Sequence, residues 1–200
     1  MTVAIVPIKS LTHAKSRLAP YLSVPERQEL VVQLLRHTVD VLRAVQTLEQ
    51  IVVVSPDIHG PEDDVVLLPD TGGLNQSLQS AIEWSVTQGI DRVLIVPGDL
   101  PYLAPADVRA VLEMGTGGPS VVLARTQDGG TGALCVRPPS AIEPMFGLLS
   151  YAKHLAQARA VNLEVHEIER LGLCSDLDTL QDLRDVQRFG HGRALKVKAD

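Results

Sequence analysis

The strongest constraint on this chain is a set of short runs that are apolar at nearly every position rather than at alternate ones. Residues 3–8 (VAIVPI), 51–54 (IVVV) and 92–96 (RVLIV) are rich in β-branched side chains, and each stops at polar or turn-forming residues. A strand apolar on both faces needs cover on both faces, as in a parallel sheet held between helices. Between these runs the apolar period becomes helical. Leu30, Val31, Leu34, Leu35, Val39, Val41 and Leu42 predict a helix over 23–44, opened by a capping box of Ser23 and Glu26. Residues 74–86, 105–114, 151–160 and 179–189 read as further helices, and 65–68, 120–124, 133–136 and 163–168 as further strands. The alternation predicts an α/β fold, a three-layer α/β/α arrangement around a mainly parallel, mixed sheet. One domain is expected over 1–189, with the patternless residues 190–200 as a flexible tail.

Composition narrows the function classes. Aromatic residues are only 3% of the 200, so the core is aliphatic, and a net charge of −6 argues against nucleic acid as a partner. No apolar run approaches the roughly 20 residues that span a bilayer, and nothing at the start resembles a signal peptide, so a cytoplasmic protein without a membrane partner is expected. Cys135 and Cys174 lie far apart without metal-ligand spacing and read as reduced thiols. Neither a Walker A sequence nor a Gly-x-Gly-x-x-Gly fingerprint is present.

In open α/β sheets ligands bind beyond the carboxyl ends of strands. That rule selects residues 9–17, 55–57 and 98–101, together with Thr131. Asp99, in Val-Pro-Gly-Asp-Leu-Pro, is placed to hold Mg²⁺ or else to cap its own turn. Asp176 and Asp178, two residues apart, share a side if the segment is extended; Asp178 also suits an N-cap, with Gln181 three residues on. With Asp99 they make an all-oxygen set that favours Mg²⁺ over zinc. Lys9, Lys15 and Arg17 form a cationic loop that either neutralises a triphosphate or is simply solvated. Gly72-Gly73-Leu74-Asn75 opens a helix whose amides could receive an anion or a base edge, with Asn75 alternatively a plain N-cap. Residues 128–132 (DGGTG) read as a tight hairpin or as a phosphate nest with the Thr131 hydroxyl as a donor. Ser150 suits an N-cap or a ligand donor, and His154, one turn on, faces either an anionic site or the packing.

Taken in order, these motifs resemble one family. Val6-Pro7-Ile8-Lys9 through Ala14-Lys15-Ser16-Arg17-Leu18 is similar to the N-terminal signature of the guanylyltransferases of coenzyme F420 biosynthesis. Gly73-Leu74-Asn75, Asp99-Leu100-Pro101, Gly129-Gly130-Thr131, Phe146-Gly147 with Ser150 and His154, and Asp176-Leu177-Asp178-Thr179 follow in the same order. The resemblance implies a nucleotide-diphospho-sugar transferase-like, Rossmann-like fold. It also implies transfer of GMP from GTP to phosphoenolpyruvate, 2-phospho-L-lactate or 3-phosphoglycerate, with release of pyrophosphate.

By that resemblance Asp99, Asp176 and Asp178 hold Mg²⁺, and Thr131, Gly147 and Ser150 bind the phosphorylated acid. Charge and position add Lys15 and Arg17 at the triphosphate, beside Asp99 as catalytic residues, and Lys9 and Asn75 as nucleotide contacts. A homodimer, and hand-over of product to the next enzyme of the pathway, are carried as partner expectations. Two positions depart from the family pattern: Gly132 stands where members usually carry Asn, and Leu180-Gln181 replaces Pro-Glu in the last helix. The alternatives are nucleotidyl transfer to a molybdenum cofactor or a sugar phosphate, against which the first loop counts because it is not Gly-rich, and GTP binding without turnover.

Overall fold

The central strand β1 (Thr2–Pro7) is flanked by β2 (Gln50–Val54) and β4 (Arg92–Ile95), and its residues Val3, Ala4, Ile5 and Val6 have no exposed surface. The computed structural model describes residues 1–8, 10–56 and 64–189 of the chain. Lys9, Asp57 and the expected tail over 190–200 lie outside the described residues. β3 (Val65–Leu68), β5 (Ser120–Arg125), β6 (Thr131–Arg137) and β7 (Glu164–Ile168) complete a seven-stranded sheet of order β3-β2-β1-β4-β6-β5-β7. β6 runs antiparallel to both β4 and β5, while the other pairings are parallel. The mixed, mainly parallel sheet expected from the sequence is the one observed.

Alternate residues of each strand feed two cores, as the two-sided apolar runs require. On one face Ala4, Val6, Val53 and Leu94 pack against α1 (Val24–Arg43) and α3 (Pro105–Glu113) through Val31, Leu35, Val39, Val108 and Val111. On the other, Val3, Ile5, Val52 and Ile95 meet Leu78, Ala81 and Ile82 of α2 (Leu74–Thr87) and Ala158 of α4 (Ser150–Ala160). The Ser23–Glu26 capping box opens α1 as expected.

A third cluster does different work. Leu18 and Leu22 of the first loop pack on Leu30 and Leu34 of α1, and on Leu177, Leu183 and Val186 of the last segment. It joins the loop after β1 to α6 (Leu180–Phe189), two pieces far apart in sequence. Arg27 of α1 also ties that loop to its own helix by donating to the Ala14 carbonyl at 2.8 Å.

One helix was not legible in the sequence. α5 (Leu171–Cys174) is a single turn, too short to show a period. Its backbone lies against β6: a Cβ built on Gly132 would stand 1.6 Å from the Leu173 carbonyl oxygen. Only glycine permits that approach, which gives the departure at Gly132 a structural reason. Gln127 N–H also donates to the Cys174 carbonyl at 3.2 Å, so α5 is fixed to the β5–β6 hairpin at two points.

The buried Arg92 was likewise missed. Its guanidinium donates to the carbonyls of Leu112 at 2.7 Å, Val111 at 3.2 Å and Met114 at 2.6 Å, and to Cys135 Sγ at 3.1 Å. It therefore satisfies the orphan carbonyls at the negative end of α3. Arg92→Met keeps much of the packing and removes these bonds. Urea denaturation is expected to show a loss of about 2–3 kcal/mol, with the apparent affinity for nucleotide unchanged.

Candidate functional site

The carboxyl ends of β1 and β4 open on a cavity of about 550 Å³. Lys15, Arg17, Asp99, Asp128, Thr131, Gly147, Ser150, Asp176 and Asp178 all line it. Thr131 is there because β6 is reversed: its first residue, not its last, lies at the end of the sheet where the parallel strands finish. The hairpin thus brings a hydroxyl to the same rim as Asp99.

Asp99, Asp176 and Asp178 each place a carboxylate oxygen within 4.8 Å of the others. Backbone pairing sets this geometry, since Leu177 N–H donates to the Asp99 carbonyl at 3.2 Å while Leu177 itself is buried in the third cluster. Lys15 lies across the group. Its Nζ donates to Asp99 Oδ2 at 2.5 Å and to Asp178 Oδ1 at 2.8 Å, and its side chain is 7% exposed. Burial works against the ammonium charge, but Asp99 and Asp178 outweigh it and hold the pKa above its usual value. Lys15 holds these bonds from a left-handed backbone conformation (φ 47°, ψ 50°), which is strained for a residue with a side chain. Arg17 stands further out, with Nη1 3.6 Å from Asp178 Oδ2 and a 71% exposed side chain.

Asp176 carries the remaining strain. Burial, then the charges of Asp99 and Asp178, push its pKa up to about 6. An all-oxygen set whose like charge Lys15 relieves only in part suits a hard divalent cation, and no histidine or cysteine belongs to it. These three carboxylates can hold a divalent metal.

The second half of the cavity presents hydroxyl groups. Thr131 Oγ1 lies 3.0 Å from Ser150 Oγ and 3.0 Å from His154 Nδ1, and all three residues are buried. Burial first, then the charge of Lys153, lowers the His154 pKa to about 4, so the imidazole is neutral at physiological pH. Gly147, with φ 119°, belongs to the loop leading into α4.

Several expectations change in detail. The helix after Asp178 is capped instead by Thr179 and Asp182: the amides of Asp178 and Thr179 donate to Asp182 Oδ2 at 3.0 and 2.6 Å, and Asp182 N–H donates to Thr179 Oγ1 at 3.2 Å. The Asp178 carboxylate is thereby left to Lys15. Asn75 is neither the N-cap of α2, which is Gly73, nor a residue lining the cavity. Its amide donates to the Phe146 carbonyl at 3.1 Å and accepts from Phe146 N–H at 2.7 Å. The amides of Gly72 and Gly73 donate to Asp70 Oδ1 at 2.9 and 2.8 Å, so they shape the turn rather than await an anion. The glycine-dense hairpin closes on itself in the same way. Gly130 N–H donates to Asp128 Oδ1 at 3.0 Å and Gly129 N–H to the Thr126 carbonyl at 3.0 Å. Ser150 is the first residue of α4, after Leu149 in a left-handed conformation. Ser55 is buried and is not among the residues lining the cavity.

A doubly covered, mainly parallel sheet brings carboxylates and a lysine together at its strand ends, and its relatives place it among the nucleotidyltransferases. A family model described as guanylyl transferase CofC like matches residues 2–198. The phosphoenolpyruvate guanylyltransferase of Sphaerobacter thermophilus is 37% identical over 190 residues, covering 92% of each chain. The 2-phospho-L-lactate guanylyltransferase of Methanothermobacter thermautotrophicus is 34% identical over 203 residues, covering 96% of this chain and 86% of its own. Among solved structures, a protein assigned as a nucleotide-diphospho-sugar transferase from Desulfovibrio desulfuricans G20 superposes with a TM-score of 0.79 at 16% identity, covering 98% of this chain and 90% of its own. The chain belongs to the CofC-like guanylyl transferase family.

The charge arrangement has a measurable consequence. Asp176→Asn removes one of three mutually repelling carboxylates, so in chelator the variant is expected to melt above the wild-type protein. Added divalent metal should then stabilise the wild-type chain and leave the variant nearly unchanged. Thermal melts with and without metal check both halves. Equal metal-induced shifts in the two proteins would remove Asp176 from the ligand set.

Proposed function

We propose that this chain transfers GMP from GTP to phosphoenolpyruvate, with 2-phospho-L-lactate as the alternative acceptor, releasing pyrophosphate in the biosynthesis of coenzyme F420. The observation that carries the reading is the division of one cavity. A carboxylate and lysine half faces a hydroxyl half, with Asp99 and Lys15 on one side and Thr131 and Ser150 on the other. Membership of the guanylyl transferase family supplies the donor and the class of acceptor.

The chemistry needs no protein nucleophile. An anionic phosphate oxygen of the acid attacks the α-phosphorus of GTP in line, the bond to the bridging oxygen breaks, and pyrophosphate carries away the electron pair. Mg²⁺ held by Asp99, Asp176 and Asp178 would supply Lewis-acid neutralisation of the charge on the reacting phosphates. Lys15 is fixed at the carboxylates and adds positive charge beside the triphosphate, with Arg17 further out toward solvent. Thr131, Gly147 and Ser150 receive the acid on the hydroxyl-bearing side of the cavity. The chain's own contribution is thus positioning and charge compensation.

The deciding experiment measures pyrophosphate release with GTP and, separately, ATP against phosphoenolpyruvate, 2-phospho-L-lactate and 3-phosphoglycerate. Turnover is expected with GTP and phosphoenolpyruvate. Asp99→Asn should reduce it by about 10²–10³-fold with the circular dichroism spectrum unchanged. GTP binding without pyrophosphate release in the presence of any of the acids would overturn the reading, as would near wild-type turnover by the folded variant.

A further inference from the structure

We infer that His154 is a positioning residue that fixes the direction of hydrogen bonding through Thr131 and Ser150, so that the Ser150 hydroxyl is presented to the acceptor acid as a donor. This rests on the reading of Thr131, Gly147 and Ser150 as the acid subsite.

The direction follows from the fixed donors. Met145 N–H can only donate, and it meets His154 Nε2 at 2.8 Å. Nε2 must therefore carry the lone pair, and a neutral ring then has its proton on Nδ1. Nδ1–H faces Thr131 Oγ1 at 3.0 Å and donates to it. The reverse arrangement, with Thr131 donating to Nδ1, would put a proton on Nε2 against the Met145 amide.

The sequence of donors continues outward. Either hydroxyl of the pair could donate across the 3.0 Å between Thr131 Oγ1 and Ser150 Oγ; in the inferred arrangement Thr131, having accepted from the ring, gives its own proton to Ser150. Ser150 Oγ accepts that bond, so its own proton remains for an anion in the cavity it lines. A carboxylate or phosphate oxygen accepts and never donates, so a subsite polarised this way prefers an anion to a hydroxyl.

Two further features hold the ring in place. His154 is fully buried, and Phe146 packs edge-on against it with ring centroids 5.0 Å apart at 64°. Phe146 is itself pinned through both backbone groups by Asn75. The same histidine thus joins the loop that carries Gly147 to the two hydroxyls. The depressed pKa agrees with a ring kept neutral, since a second ring proton would oppose the Met145 amide.

Two conservative variants separate the contacts. In His154→Asn the side-chain nitrogen takes the place of Nδ1 and keeps the donor to Thr131. In His154→Gln the amide takes the place of Nε2, keeping a partner for Met145 and losing the donor. With saturating GTP and Mg²⁺, and with phosphoenolpyruvate varied (or whichever of the three acids the wild-type enzyme turns over), Gln should raise KM for the acid about ten- to a hundredfold. Asn should stay within a few fold of wild type. The kcat, the KM for GTP and the melting temperature should move little in either. Histidine ¹⁵N NMR at neutral pH should show the proton of His154 on Nδ1.

Equal effects of Asn and Gln, a loss expressed in the KM for GTP or in melting temperature instead, or an Nε2–H tautomer would each overturn the inference. Ser150→Ala separates it from the reading beneath. If that change raises KM for the acid while His154→Gln does not, only the inference about His154 fails. If Ser150→Ala has no effect on the acid, the assignment of the subsite fails and the inference with it.

Discussion

Three carboxylates gathered within 4.8 Å are the constraint around which this molecule is arranged. At an effective dielectric near 20, each like-charged pair at about 4 Å repels by about 4 kcal/mol, so a chain would not assemble such a group without compensation. Lys15 compensates two of the three, bridging Asp99 and Asp178, and the raised pKa of Asp176 marks what it leaves over. The apolar packing behind the site holds the charges in place. Leu18 lies three residues past Lys15, and Leu177 lies between the two C-terminal aspartates; both are fully buried in one cluster. Burying those leucines commits the charged neighbours to the cavity, so the site's position is set largely by hydrophobic contacts.

Much of this was legible in the sequence because it depends on pattern. Runs such as IVVV and RVLIV identify buried strands, the spacing from Leu30 to Leu42 identifies α1, and strand ends identify Asp99 and the loop holding Lys15. Contacts between segments distant in the chain were not legible. Nothing local marks Arg92 as the cap of a helix that ends some twenty residues later, and α5 is too short to have a period. Gly132 looked like one more turn glycine, or a departure from a family pattern. Its reason is the Leu173 carbonyl lying on top of it, a contact between residues forty-one positions apart.

The reversal of β6 matters to function as much as to topology. In a fully parallel sheet, residues at the functional rim all come from strand ends and the loops beyond them. Here the β5–β6 hairpin returns at that rim, so the first residue of β6, Thr131, belongs to the site. The strand then runs down between β4 and β5, while Gly132 seats α5 and, through it, the segment carrying Asp176 and Asp178. One hairpin therefore supplies a hydroxyl to one half of the cavity and a support for the half that holds the three carboxylates. This also ties the two halves together, because any shift at Gly132 would move both.

The same economy of polar groups recurs at three helix starts. Asp178, Asn75 and Ser150 are each residue types that favour an N-cap, and local sequence reads all three that way. None serves as one. Thr179 with Asp182 caps α6, the Asp70 carboxylate holds the turn before α2, and Leu149 takes a left-handed conformation so that α4 begins at Ser150. α6 is capped by another pair, α2 and α4 begin without a side-chain cap, and in each case the polar side chain is turned to a long-range partner: Lys15 for Asp178, Phe146 for Asn75, Thr131 for Ser150. A left-handed leucine costs about 1–2 kcal/mol, and no local preference explains it. What that conformation secures is the Ser150 hydroxyl beside Thr131, which a capping role would have directed to a helix amide instead. Local rules fail here at Asp178 and Ser150, which line the cavity, and at Asn75, which holds the Phe146 backbone beside it, as expected where a fold accepts local strain to position functional groups.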